Sequence, residues 1–208
     1  MVNAEQGEDV LGFWFPSWSI AGRAAVTQQA EWWFRGGADA EILARFRQQL
    51  EGAVRGGLDH WARTPRSRLA LIIVLDQFSR TVYRGTPQAF AQDGKALALT
   101  SEGIENGHYA QLTTPWEKAF FMLPLGHSED LANLERAVHL ADQLTEQAPQ
   151  EVRWWFEFSA SQARGHRDVI GRFGRHPHRN QVLGRKSTPA ELEYIATGNF
   201  VHTRQLPR

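Results

Sequence analysis

The 208-residue chain has no cysteine, and of its 23 basic side chains only Lys95, Lys118 and Lys186 are lysine. Without a thiol there is no disulfide, no cysteine nucleophile and no thiolate-held metal or iron–sulfur cluster. Long hydrophobic runs are missing too. The longest, Leu69 to Leu75, is far shorter than the ~20 apolar residues of a membrane-spanning helix. The start of the chain lacks the basic-then-apolar pattern of a secretory signal, so a cytoplasmic location and no membrane partner are expected. Phosphate-cradling glycine loops, the Gly-x-Ser-x-Gly elbow and His-Glu-x-x-His are all absent, and neither metal nor cofactor is expected. Net charge is absent as well, with 23 acidic residues against the 23 basic ones.

What is present is unevenly placed. Residues 164–186 carry Arg164, Arg167, Arg172, Arg175, Arg179, Arg185 and Lys186 against Asp168 alone, seven positive charges to one negative. His166, His176 and His178 fall in the same stretch. Arginine presents a planar, permanently charged fork suited to carboxylates and phosphates. Nucleic acid is not the expected partner, because overall charge is zero and Phe173 is the cluster's one aromatic residue.

Helix signals run the length of the chain. Thr64-Pro65, Thr86-Pro87, Thr114-Pro115 and Thr188-Pro189 each set a capping hydroxyl before a residue that lacks an N–H. Glu117 and Glu191, three residues after their threonines, complete two capping boxes. Ser128 is read as the cap of another helix, with Glu129 and Asp130 in its first turn. Ile42, Leu43, Phe46, Leu50 and Val54 recur at helical spacing before Gly56-Gly57, and Leu131, Leu134, Val138 and Ala141 form a second stripe. Residues 66–80 read as the most buried helix of an all-α core. No linker or low-complexity stretch divides the chain, so one domain over 1–208 is expected.

Three constellations carry chemistry. Asp76, Arg80 and Arg84 share a helix face at i, i+4 and i+8, and an acid adjoining so apolar a run needs a partner. The set reads either as an acid-oriented arginine aimed at a bound anion or as an internal ion pair. His127, one residue before the expected cap, lies where a helix N-terminus favours neutral imidazole. Flanked by Glu129, it is either a general base or a turn residue. His166 through Asn180, with Arg172, His178 and Arg179, closes a helix near Gly171 or Gly174 and continues as a turn loaded with polar side chains. His176 and His178, read as extended chain around Pro177, point to opposite sides.

The strings Leu75-Asp-Gln-Phe-Ser-Arg80, Tyr83-Arg-Gly-Thr-Pro87, Pro124-Leu-Gly-His-Ser-Glu-Asp-Leu131 and Arg172-Phe-Gly-Arg-His-Pro-His-Arg-Asn180 together resemble a bacterial family catalogued as domain of unknown function 924. Leu183-Gly-Arg185, Ser187-Thr-Pro-Ala-Glu191 and Val10-Leu-Gly-Phe-Trp-Phe15 extend the resemblance from about residue 8 to 200. It implies an all-α, tetratricopeptide-like fold of antiparallel helix pairs in a right-handed array, and no particular activity. Ser79, Thr81, Gly126 and His176 depart from its usual pattern, and His176 stands where Phe is usual.

An array of helix pairs gathers helix ends. The candidate binding residues are therefore Asp76, Arg80, Arg84, His127, Glu129, His166, Arg172, His178, Arg179 and Asn180. The leading expectation is a binding protein for an anionic small molecule or acidic peptide. The alternatives are a phosphoester hydrolase or transferase in which His127 or His166 is the acid–base group oriented by Glu129, and an interaction scaffold using the aromatic surface around Trp18 and Trp32.

Overall fold

The computed structural model describes residues 2–15 and 22–207, and all regular structure among them is helical. Trp18 lies outside the described residues. The first half comprises α1 (Val2–Trp14), α2 (Arg23–Phe34), α3 (Asp39–Arg45), α4 (Arg47–Val54), α5 (Pro65–Ile73) and α6 (Ser79–Val82). The second comprises α7 (Asp93–Glu105), α8 (His108–Gln111), α9 (Pro115–His127), α10 (Leu131–Gln147), α11 (Gln150–Phe173) and α12 (Pro189–Ala196). No helix among the described residues is long and apolar enough to cross a membrane.

The threonine–proline pairs act as their chemistry requires. Thr64, Thr114 and Thr188 cap α5, α9 and α12, and both capping boxes form, with Glu117 and Glu191 reaching back to the cap N–H groups. Thr86 opens only a short 3-10 turn, because its hydroxyl donates to the Tyr83 carbonyl instead. The helix expected over 42–54 breaks at Phe46, and Leu43 and Val54 are exposed while Ile42, Phe46 and Leu50 are buried. In α10, Leu134 and Ala141 are buried but Leu131 faces solvent.

The run Leu69–Leu75 is buried along its whole length, and α5 packs against α1, α7 and α9. Full burial stabilises each such Leu or Ile by about 1.5–3 kcal/mol. Residues 66–80 are not one regular helix, however. After α5 the chain widens into a single π-turn, Val74–Phe78, before α6 resumes the α-helical pitch. Such turns inside helices are frequent at functional sites.

Aromatic rings complete the core. Trp14 meets Phe78 and Phe120 edge-on, Trp33 packs on Phe120, and Trp116 packs on Trp155 and Phe156. Trp33 Nε1–H donates to the Trp14 carbonyl at 2.9 Å. Trp32 is half-buried, edge-on to Phe13 at 5.0 Å and packed against this core.

One contact tests the packing directly. A Cβ at Gly103 of α7 would collide with Phe121 Cζ and stand 2.7 Å from Arg68 Cδ, and Arg68 is held by the Leu99 and Ala62 carbonyls. Gly103→Ala gains helix propensity, yet the overpacking outweighs it. We expect a net loss of about 1–3 kcal/mol in urea unfolding. An unchanged or raised midpoint would mean that α7 is not pressed against α5 and α9 here.

Candidate functional site

The site begins at the π-turn. The Asp76 side chain is 2% exposed, and His127 Nδ1 lies 2.8 Å from its Oδ1. Gln77 Nε2–H donates to Oδ2 at 2.5 Å, and Arg80 approaches Oδ1 at 3.5 Å. Burial alone raises a carboxyl pKa, but the charge of Arg80, the interaction with His127 and the hydrogen bond from Gln77 outweigh it. Asp76 is held well below the usual carboxylate range. An ionised Asp76 only accepts, so His127 Nδ1 carries the proton that is shared with it. His127 Nε2 then points its lone pair away from Asp76, and no partner for it is found among the described residues. The ring is 20% exposed.

His127 does not lie at a helix N-terminus. It is the last residue of α9, and the cap of α10 is Asp130, which accepts from the Ala132 N–H at 2.8 Å. Ser128 accepts from the Asp130 N–H instead. The dipole argument for His127 therefore runs from the negative end of a helix. Glu129 does not orient His127 either. It accepts from both Arg185 nitrogens and from the His176 backbone N–H, at 2.7–3.1 Å.

A ladder of alternating charge extends from Asp76. Arg80 donates to Asp93 at 2.9 and 3.2 Å, and Arg179 donates to the same carboxylate at 3.0 Å. Both guanidinium groups lie over the Phe90 ring. Burial pushes the Arg179 pKa down, with Asp93 opposing it. Arg84 is not part of the ladder. Because α6 ends at Val82, its fork swings out to pair with Asp39 at 2.7 and 3.0 Å. Arg172 is also apart, exposed over the Phe173 ring beside an open hollow of about 420 Å³. Asn180 is buried and donates to Ser187.

On the other side of Arg179 the histidines gather. Instead of ending in extended chain, residues Pro177–Arg179 form a 3-10 turn, which brings the His176 and His178 rings to 5.4 Å on one side. Gly174, with φ +67°, ends α11 as the glycine pattern implied. The His166 ring stands 5.5 Å from His176, and His202 4.4 Å from His178. These four rings, with Val169, Tyr194 and Val201, line a cleft too narrow to admit water. His176 is 1% exposed, and both its ring nitrogens lack a hydrogen-bond partner among the described residues.

Burial first, and then mutual repulsion and the charge of Arg179, disfavour the protonated form of every ring in the cleft. His166 and His176 are held well below the usual histidine range, His202 is lowered, and His178 is pushed down to about 3.

The structure thus brings together Asp76, Arg80, His127 and Arg179, sets His166 and His178 beside them, and places Glu129 in a neighbouring ion pair. Sequence reasoning missed Asp93, Gln77 and His202. Asp93 reaches Arg80 and Arg179 across 13 and 86 positions, a pairing with no local signal.

The chain is thus an all-α protein in which a histidine–aspartate dyad ends an arginine–carboxylate ladder. It belongs to the family of bacterial proteins of unknown function DUF924, which matches residues 10–199. It is similar to the solved structure of a protein of unknown function, ATU0120, from Agrobacterium tumefaciens. The two are 33% identical, with a TM-score of 0.71 over 94% of this chain and 99% of that one. No curated protein matches.

The cleft gives a pH prediction. Its histidines are harder to protonate in the folded chain than in the unfolded one, where the pKa is about 6.5. Unfolded chains therefore bind more protons below that value, and stability is full above pH ~6.5 and falls steadily toward His178's folded value. Asp76 acts lower. Its contribution is present above the unfolded value of about 3.9 and is lost as pH falls toward its depressed folded one. His176→Phe removes two unpartnered buried nitrogens, so we expect it to raise stability at pH 7 by about 1–3 kcal/mol. It should also flatten the loss between pH 7 and 5, and a destabilised variant at pH 7 would contradict this account.

Proposed function

We propose that the protein is an acid–base enzyme of the hydrolase or transferase type, with His127 as the proton-transferring group. One observation carries the reading: the buried Asp76 carboxylate holds His127 Nδ1 at 2.8 Å while the ring stays partly exposed. In this tautomer Nε2 accepts a proton from water or from a substrate hydroxyl, and Asp76 stabilises the imidazolium that results. Transfer from the same nitrogen to a leaving group completes the cycle. The orienting carboxylate is Asp76, not Glu129.

Anion binding without chemistry has less support. The arginine forks are already engaged, Arg80 and Arg179 by Asp93 within the ladder and Arg84, Arg175 and Arg185 by Asp39, Glu191 and Glu129 outside it, so a bound anion without chemistry finds little unpaired charge there. Arg80, held by Asp93, meets the Asp76 carboxylate of the dyad, and a positioned acid–base group contributes about 10²–10⁴-fold to a rate. As part of this reading, α9, α10 and α11 are successive antiparallel neighbours of a tetratricopeptide-like array. The support is that α10 packs along both others and that connections of two or three residues force each reversal.

A panel of chromogenic phosphomonoesters, phosphodiesters and carboxylic esters tests the proposal. We expect turnover of at least one class, reduced at least a hundredfold by His127→Ala and by Asp76→Asn, with circular dichroism unchanged. Glu129→Gln should cost less than threefold. Equal activity in His127→Ala and the parent chain would overturn the assignment.

A further inference from the structure

The cleft beside the dyad combines features that packing alone does not account for. Twelve buried side-chain nitrogens and oxygens lack a hydrogen-bond partner among the described residues, and five of them lie within residues 176–185. Two are the ring nitrogens of His176, which lines the cleft, and a third is Arg179 Nε. A buried donor without a partner carries its full desolvation cost, about 1–3 kcal/mol. A single protein region rarely concentrates such groups unless something meets them.

The occupant that fits is an anion. Each neutral imidazole offers one N–H, the buried Arg179 adds a positive field from one side, and no carboxylate lines the cleft. A metal cation fits poorly. Among the described residues no three histidine or carboxylate groups are placed to hold one. The rings run in sequence from His166 through His176 and His178 to His202, without converging on one point.

As it stands, the cleft is too narrow for a water molecule, and what narrows it is the C-terminal segment. Val201 and His202 form one wall. The segment 199–207 packs against α11 at Val201–Thr203, and several of its carbonyl groups accept hydrogen bonds from side chains. Gln162 donates to Val201, Arg35 to Arg204, and Arg23 to Pro207, at 2.7–3.1 Å. Where it crosses α11 it needs a glycine. A Cβ at Gly165 would stand 3.0 Å from Arg204 Nη1 and 3.1 Å from both Val201 methyl carbons. Those polar ties are contacts that water can replace, while Val201, Phe200 and Leu206 anchor the segment on apolar surface.

We infer that residues 199–207 are a displaceable cover over an oxyanion site whose donors are His166, His176 and His178 with Arg179 behind them, so that the natural ligand bears a phosphate or carboxylate group. As an account of substrate binding this rests on the acid–base reading of His127. The site itself does not.

Inorganic phosphate is the probe, followed through the imidazole ¹⁵N and ¹H resonances of the full chain. Gly165→Val lifts the strap without touching a donor, and amide hydrogen exchange over 199–207 reports whether it has lifted. If valine is accommodated with the strap in place, Val201→Gln, which puts an amide in a buried apolar position, is used instead. We expect phosphate to shift the His176 and His178 resonances, with affinity at least tenfold higher once the strap is loosened. Adding His176→Phe to that variant should abolish the response. A loosened strap with no phosphate response, or a response to Zn²⁺ alone, would overturn the inference. His127→Ala separates the two readings. Phosphate binding that survives it alongside unchanged turnover refutes only the acid–base assignment. Turnover that depends on His127 while phosphate leaves His176 unmoved refutes only the oxyanion site.

Discussion

A carboxylate at the end of the most apolar helix sets the terms for the rest of the site. Asp76 follows seven consecutive buried apolar residues and is itself cut off from water, so its charge must be met by protein. Gln77 and Arg80 meet it from the same segment, and His127 meets it from the end of α9. Arg80, once buried, needs more than one carboxylate, and Asp93 of α7 supplies the second. Asp93 then draws in Arg179 from the turn after α11. Elements far apart in sequence are thereby fixed to one another by a single demand for neutrality.

Stability alone does not explain such a ladder. Desolvation offsets most of what buried ion pairs gain, and apolar side chains of similar volume often serve as well or better. What an apolar replacement cannot supply is a fixed imidazole with a defined tautomer. The π-turn belongs to the same argument, since it puts a non-α-helical turn into an otherwise regular buried helix at the residues that hold His127. A departure from the regular pattern at one place, within a core that otherwise obeys it, is the expected mark of a functional position.

The sequence was most readable where the physics is local. Thr114 with Glu117 and Thr188 with Glu191 close their capping boxes within four residues, and Gly174 ends α11 by adopting a conformation that other residues avoid. The Asp76–Arg80 pair was legible for the same reason, as an i, i+4 contact on one face. Errors came where one residue's choice depends on distant neighbours. The local pattern puts His127 at the wrong helix end, because Ser128 and Asp130 are both good caps and the sequence does not choose between them. His178 was turned the wrong way because the 3-10 turn after Pro177 reverses the expectation for extended chain. Asp93 was invisible, since nothing near it announces an arginine 86 residues away.

The two halves of the site satisfy buried polar groups in opposite ways, and the contrast bears on function. Toward Asp76 each charge has a counter-charge, and the arrangement is rigid and complete. Toward His176 the ring nitrogens have no partner among the described residues, and one wall is a terminal strap held by hydrogen bonds to its carbonyls and by the buried Val201 side chain. The first arrangement suits a group that must keep one orientation while a proton moves. The second costs the folded state some stability, which natural proteins sustain where a ligand recovers it. Arg179 belongs to both, paired with Asp93 on one side and acting on the histidines from the other. Any anion admitted beneath the strap would compete with Asp93 for that guanidinium. Occupancy of the cleft and the charge around His127 are therefore coupled through one side chain.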